Sequence, residues 1–115
     1  MAKLFLRDAE GQRAQMNSLF QYLILLIATL KKIKYIEGHF MLGYNNSSFN
    51  SALYHFLLNL NSRYKSGVNI ECYWYYEKDD DYMLEVGERM QSVLKIPFKL
   101  SEVEDIQAFF TLKFD

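Results

Sequence analysis

The chain has 115 residues, half of them hydrophobic and 17% aromatic, with 13 Lys and Arg against 14 Asp and Glu for a net charge of -1. That length makes one ordinary domain, and the apolar content excludes a disordered chain. Near-neutral charge argues against a dedicated nucleic-acid binder, and nine Tyr, nine Phe and one Trp are a surplus that points to a protein interface.

The first apolar segment, residues 3–7, alternates weakly and reads as a short edge strand. Gly11 and its polar neighbours break the chain. From residue 13 to 32, Met16, Leu19, Phe20, Leu23, Ile24, Ile27 and Leu30 recur at helical spacing, which predicts a helix packed on a core. Its most apolar part, residues 19–30, is 12 residues long, whereas a membrane span needs roughly 20. No membrane span is expected there. The first residues turn charged before any long apolar run, so no secretory signal is read. The single Cys72 has no partner for an internal disulfide and fits a reducing, cytoplasmic setting.

Residues 35–44 read as a second strand, followed by Asn45, Asn46, Ser47 and Ser48, a run of helix-capping residues. Leu53, Phe56, Leu57, Leu60 and Tyr64 then share one face of a helix over residues 48–64, with Gly67 placed as its left-handed C-cap residue. Residues 68–76 form the clearest strand, and their continuous apolar end predicts burial on both faces there. After residues 77–81 comes a helix carrying Met83, Leu84, Val86, Gly87, Met90, Val93 and Leu94. Pro97 stops it, and residues 98–100 add one more strand. The alternation of strand and helix predicts a single α/β domain with a small, mainly parallel or mixed sheet of four to five strands and three packed helices. In the tail, residues 101–115, Phe110, Leu112 and Phe114 alternate with polar residues and predict an extra strand at the sheet edge or between two copies of the chain.

Little in the chain points to catalysis. His39 and His55 have no Cys or His at metal-ligand spacing and read as surface or structurally satisfied residues. No phosphate-binding glycine motif occurs, and Cys72 sits in an apolar strand. No catalytic residue, metal ligand or cofactor is assigned. Two polar clusters remain. Glu77, Lys78, Asp79, Asp80 and Asp81 cap a helix in the simpler reading or hold a divalent cation in the alternative. Tyr44, Asn45, Asn46, Ser47 and Ser48 lie at a strand-to-helix junction. They are again either a cap or a place where a phosphate would be held by backbone N–H groups and the helix dipole.

Trp74, Tyr75, Tyr76, Glu77, Asp79, Asp80, Met83, Glu85, Gly87 and Glu88 together resemble the W-Y-Y-E-x-D-D-x-x-M-x-E-x-G-E signature of the SiaC family of regulatory phosphoproteins. Ile96-Pro97-Phe98 looks like the family's I/F-P-F segment, and Tyr44 to Ser48 looks like its Y/F-N-T-S-S segment. The similarity covers about residues 2–100, with residues 101–115 as a C-terminal extension. The resemblance implies a STAS-like fold and a non-enzymatic, cytoplasmic module of a bacterial partner switch. Its implied partners are a dedicated kinase, a PPM-type Ser/Thr phosphatase and a diguanylate cyclase. The unphosphorylated form would activate the cyclase, raise cyclic-di-GMP and promote biofilm formation, with no nucleic-acid or membrane partner.

One departure bears on the switch. The family's phospho-acceptor is the Thr of N-T-S-S, and Asn46 stands at that position. An amide accepts no phosphoryl group, so either Ser47 (less readily Ser48) substitutes or the domain is held in its binding-competent, unphosphorylated form. Residues 8–15 also lack the family's S-Y-P-E-N-like turn. The competing reading is a structural homodimer joined through the C-terminal strand, with no switch function.

Overall fold

The computed structural model of the chain describes residues 2–7, 25, 27–42 and 47–114. Four strands, β1 (Ala2–Arg7), β2 (Tyr35–Met41), β3 (Asn69–Glu77) and β4 (Phe98–Val103), form one sheet in the order β1-β2-β3-β4. Every neighbouring pair is parallel. Helix α1 (Ser47–Lys65) joins β2 to β3, α2 (Asp81–Val93) joins β3 to β4, and α3 (Ile106–Phe114) follows β4. Residues 27–29 are helical and run into a 3-10 turn at Leu30–Lys32. They close the helix expected from residue 13, most of which lies outside the described residues.

Helices α1 and α2 pack in one cluster with the same strand residues and so share a face of the sheet, as crossovers of one hand between strands laid down in chain order require. The core is built there. Ile36, Phe40 and Leu42 of β2 and its extension meet Ile70, Cys72 and Trp74 of β3. Against them pack Leu53, Phe56, Leu57 and Leu60 of α1 and Met83, Val86 and Met90 of α2. The helical spacing of those α1 residues carries them to one stripe, as the sequence pattern requires.

Local chemistry ends each helix where the next strand must begin. Gly67, at φ 109°, closes α1: its N–H reaches the Tyr64 carbonyl at 3.0 Å, while Val68 N–H reaches that of Arg63 at 3.1 Å. That pair of bonds is a Schellman closure, and only glycine takes this backbone conformation without strain. Beyond α2, the buried Asn61 side chain accepts from the N–H groups of Lys95 and Ile96 at 2.8 and 3.3 Å. One amide oxygen of α1 thereby fixes the turn that leads into β4.

The tail differs from expectation. Residues 106–114 form helix α3, not a strand. Asp105 starts it: its side chain accepts from Ala108 N–H at 2.8 Å and its carbonyl from Phe109 N–H at 2.9 Å. The cap selects the helical period, which turns Ile106 and Phe109 onto one side, against Met41 and Tyr75 on the sheet face opposite the crossover helices. Burying two apolar residues on that face outweighs pairing at an edge. The terminal strand through which a homodimer was expected is therefore not formed.

At the centre lies Trp74, fully buried, its indole N–H donating to the Met83 carbonyl at 3.0 Å. Gly87 of α2 faces the same ring, and a Cβ there would stand 2.6 Å from Trp74 Cδ1 and Nε1 and 2.9 Å from Leu100 Cδ2. A Gly87→Ala variant must push α2 off the indole. Overpacking of this kind costs about 1–3 kcal/mol, so urea unfolding followed by Trp74 fluorescence should show a correspondingly lower midpoint.

Candidate functional site

The carboxyl ends of β2, β3 and β4 lie at one edge of the sheet. There β3 and β4 lead through short connections, residues 78–80 and 104–105, into α2 and α3. Tyr44, Asn45 and Asn46 lie outside the described residues, and Ser47 and Ser48 are the first two residues of α1. In the chain, the expected switch segment falls between β2 and the start of α1.

The acidic run after β3 is used for capping. Asp79 takes a left-handed conformation at φ 71°, which aspartate tolerates better than most residues. Asp80 is the N-cap of α2, its side chain accepting from Met83 N–H at 3.1 Å. Glu77 serves another helix, its Oε2 accepting from Ile106 N–H at 2.8 Å at the start of α3. Among the described residues, no three His, Cys, Asp or Glu side chains are grouped to hold a metal ion.

The first turns of α1 and α2 are joined. Asn50 Nδ2 donates to the Tyr82 hydroxyl at 2.9 Å, while its Oδ1 is buried with no hydrogen-bond partner among the described residues. Asn50 lies in the first turn of α1, which begins at Ser47, so Tyr82 tethers that turn to α2. Tyr82 is 49% exposed and Tyr54, one turn further along α1, is 37% exposed. Neither tyrosine was singled out in the sequence, because a contact between two helices leaves no trace in the spacing of either.

Of the ten signature residues, Trp74, Tyr75, Met83 and Gly87 are buried, while Glu85 and Glu88 are exposed on α2. The structure thus assigns much of the signature to packing and capping. Cys72 is buried, and burial pushes its thiol up to about 12.

A second network, missed in the sequence, covers the other face of the sheet. Phe5, His39, Tyr73 and Lys99 lie in register across β1, β2, β3 and β4. The imidazole stacks 5.2 Å from Phe5 and 4.9 Å from Tyr73, and Lys99 Nζ sits 5.8 Å over Tyr73. His39 Nε2 lies 2.8 Å from Glu37 Oε2, and Nδ1 lies 2.9 Å from the Tyr75 hydroxyl. A carboxylate only accepts, so Nε2 carries a proton and donates to Glu37, while Nδ1 is paired with the Tyr75 hydroxyl. His39 is therefore a structurally satisfied residue, whereas His55 is exposed on α1. Period-two alternation in β2 and β3 was the available signal for this face.

The sequence model of the SiaC family of regulatory phosphoproteins matches residues 10–103. No curated protein sequence matches the chain. Two solved structures share the fold. One is a chain in the crystal structure of the diguanylate cyclase SiaD in complex with its activator SiaC from Pseudomonas aeruginosa. It aligns with a TM-score of 0.67 at 17% identity, over 88% of this chain and 84% of that one. The other is SiaC of Pseudomonas aeruginosa, with a TM-score of 0.62 at 17% identity over 87% of this chain and 78% of that one. No helix among the described residues is long and apolar enough to cross a membrane.

The sheet chemistry sets a pH dependence. Tyr73 is raised to about 12, chiefly because its hydroxyl donates to the Glu71 carboxylate at 2.9 Å. Burial raises Tyr75, and Glu71 raises Tyr35. Groups raised in the fold lend stability that is complete below their unfolded values of 9.0 for Cys72 and 10.0 for tyrosine, and that is lost as pH rises toward 12. Glu37, lowered chiefly by its bond to His39, works oppositely below its ordinary 4.5. The urea midpoint should therefore fall on raising the pH above about 9, and a thiol reagent at about pH 8 should leave Cys72 unmodified until the chain unfolds.

Proposed function

Because this chain belongs to the SiaC family of regulatory phosphoproteins, we propose that it is a non-enzymatic, cytoplasmic regulator that works by binding protein partners. The match over residues 10–103 carries this reading. The proposed docking surface is Tyr44, Asn45, Asn46, Ser47 and Ser48, entering α1 at the carboxyl edge of the sheet. The proposed partner is a diguanylate cyclase. Support comes from the likeness to the structure of SiaD bound by its activator SiaC. Through that partner the domain would control cyclic-di-GMP and biofilm formation, and a kinase and a PPM-type phosphatase would complete the switch.

Asn46 gives this domain its particular setting. It stands where the family carries a phosphorylated Thr, and its neutral amide resembles the unmodified state. The domain is then held in the cyclase-binding form unless Ser47 or Ser48 accepts phosphate. A negative charge at a helix N-terminus favours the helix, so adding one at residue 46 tests the surface without weakening the fold.

Affinity capture from the native host should recover a diguanylate cyclase with the wild-type chain. The Asn46→Asp variant should bind it at least about tenfold more weakly, the equivalent of about 1.4 kcal/mol, with an unchanged melting temperature. Intact mass of the Asn46→Thr variant from the same host should show one added phosphate that the wild type lacks. Equal cyclase binding by wild type and Asn46→Asp would remove residue 46 from the surface.

A further inference from the structure

Among the described residues, α3 is the one helix on the sheet face opposite α1 and α2. Beneath it Met41 and Tyr75, register partners on β2 and β3, make a small apolar floor with Phe5, Tyr73 and Val103 packed around it. Glu77 stands at the end of β3, its carboxylate accepting from Ile106 N–H at 2.8 Å. Floor and carboxylate together form a seat for a helix. The floor takes two apolar side chains one turn apart, and the carboxylate takes a free N–H of the first turn and favours the positive end of the helix dipole.

Helix α3 fills this seat with a light grip. Ile106 is buried and Phe109 half-buried, its ring 4.7 Å from that of Tyr75. Ala108, Thr111 and Leu112 are exposed, Leu112 by 89%. The helix has nine residues, short of the roughly 12–15 at which a helix begins to hold in water by itself. Its helicity therefore depends on the seat. It is joined to β4 through residues 104 and 105, both exposed, so it can lift without any strand, α1 or α2 moving. Elements with so little buried surface open locally well before the whole domain does. Lifting would uncover Met41 and Tyr75, which are 0% and 6% exposed under the helix, and wetting such apolar surface is unfavourable.

We propose that α3 is a displaceable lid, and that the seat of Met41, Tyr75 and Glu77 is a docking site for an amphipathic helix from another chain. The occupant's chemistry is set by α3 itself: an apolar residue with a free N–H in the first turn, and an aromatic residue three positions on. The chain's own helix competes for the seat, so apparent affinity follows the fraction of chains whose lid is open. This site goes beyond the cyclase reading and uses none of residues 44–48.

A labelled peptide of residues 104–115 is the probe, its binding to the full chain read by fluorescence anisotropy. Phe109→Ala in the chain loosens the lid and leaves the seat intact, so that variant should bind the peptide at least about tenfold more tightly than wild type. Asp105→Ala, which removes the side chain that caps α3 at Ala108 N–H, should act in the same direction. Phe109→Ala in the peptide should abolish binding. One substitution acting with opposite signs in chain and peptide is the mark of competition for a single seat. Hydrogen exchange of the wild-type chain needs no variant: amides 109–114 should exchange at least about tenfold faster than amides 70–76 of β3. The proposal is overturned if those helix amides exchange at the rate of β3, if neither variant chain binds the peptide more tightly than wild type, or if the peptide binds equally well without its Phe109 ring.

Discussion

An indole buried at the middle of a small sheet needs two things from whatever covers it: an acceptor for its N–H and room for its width. Helix α2 supplies both, the acceptor at the Met83 carbonyl and the room at Gly87. Those two residues lie four apart, about one helical turn, so together they set the height and rotation of α2 on the sheet. Once α2 is set, Asp80 must stand at its N-terminus, and the chain must turn sharply between Glu77 and Asp80. Asp79 adopts its left-handed conformation there. Part of the signature, Asp80, Met83 and Gly87, thus follows from how one tryptophan is housed.

The two faces of the sheet have different chemistry because they have different covers. The face under the crossover helices is apolar and closed. The opposite face combines rings with charge: Glu37, His39, Glu71, Tyr73 and Lys99 satisfy one another across three strands. Like charges at Glu37 and Glu71, register partners on β2 and β3, would repel if left alone. Here each carboxylate accepts from a neighbouring side chain, Glu37 from His39 and Glu71 from Tyr73. Such a face tolerates water along the amino halves of the strands, and α3 closes it at the carboxyl halves, where Met41 and Tyr75 lie.

The crossover architecture was legible in the sequence because it rests on local signals: helical spacing from Leu53 to Leu60, a glycine at position 67, and β-formers before Glu77. Burial of Trp74 and Tyr75 on opposite faces was also legible, since a continuous apolar run implies two covers. The tail was not. Phe110, Leu112 and Phe114 fit a strand period, while Ile106, Phe109 and Phe110 fit a helical one. What decides between them is a cap at Asp105 and a receptive surface on β2 and β3, far away in the chain. The Asn50–Tyr82 and Glu77–Ile106 bonds were hidden for the same reason, as long-range contacts between residues with unremarkable neighbours. For the candidate site, capping and phosphate-holding readings of the Asn and Ser cluster coincide physically, because both use free N–H groups at a helix start.

The order of the strands has a consequence for how the chain is made. In this sheet spatial order is synthetic order, and each parallel pair joins consecutive strands. A nascent chain leaving the ribosome can therefore add each new strand to a neighbour that is already outside, with no earlier gap to be held open for a later segment. Helix α3 is the last of the described elements to emerge. Until it does, Met41 and Tyr75 lack the cover of Ile106 and Phe109, so this side of the sheet is closed last.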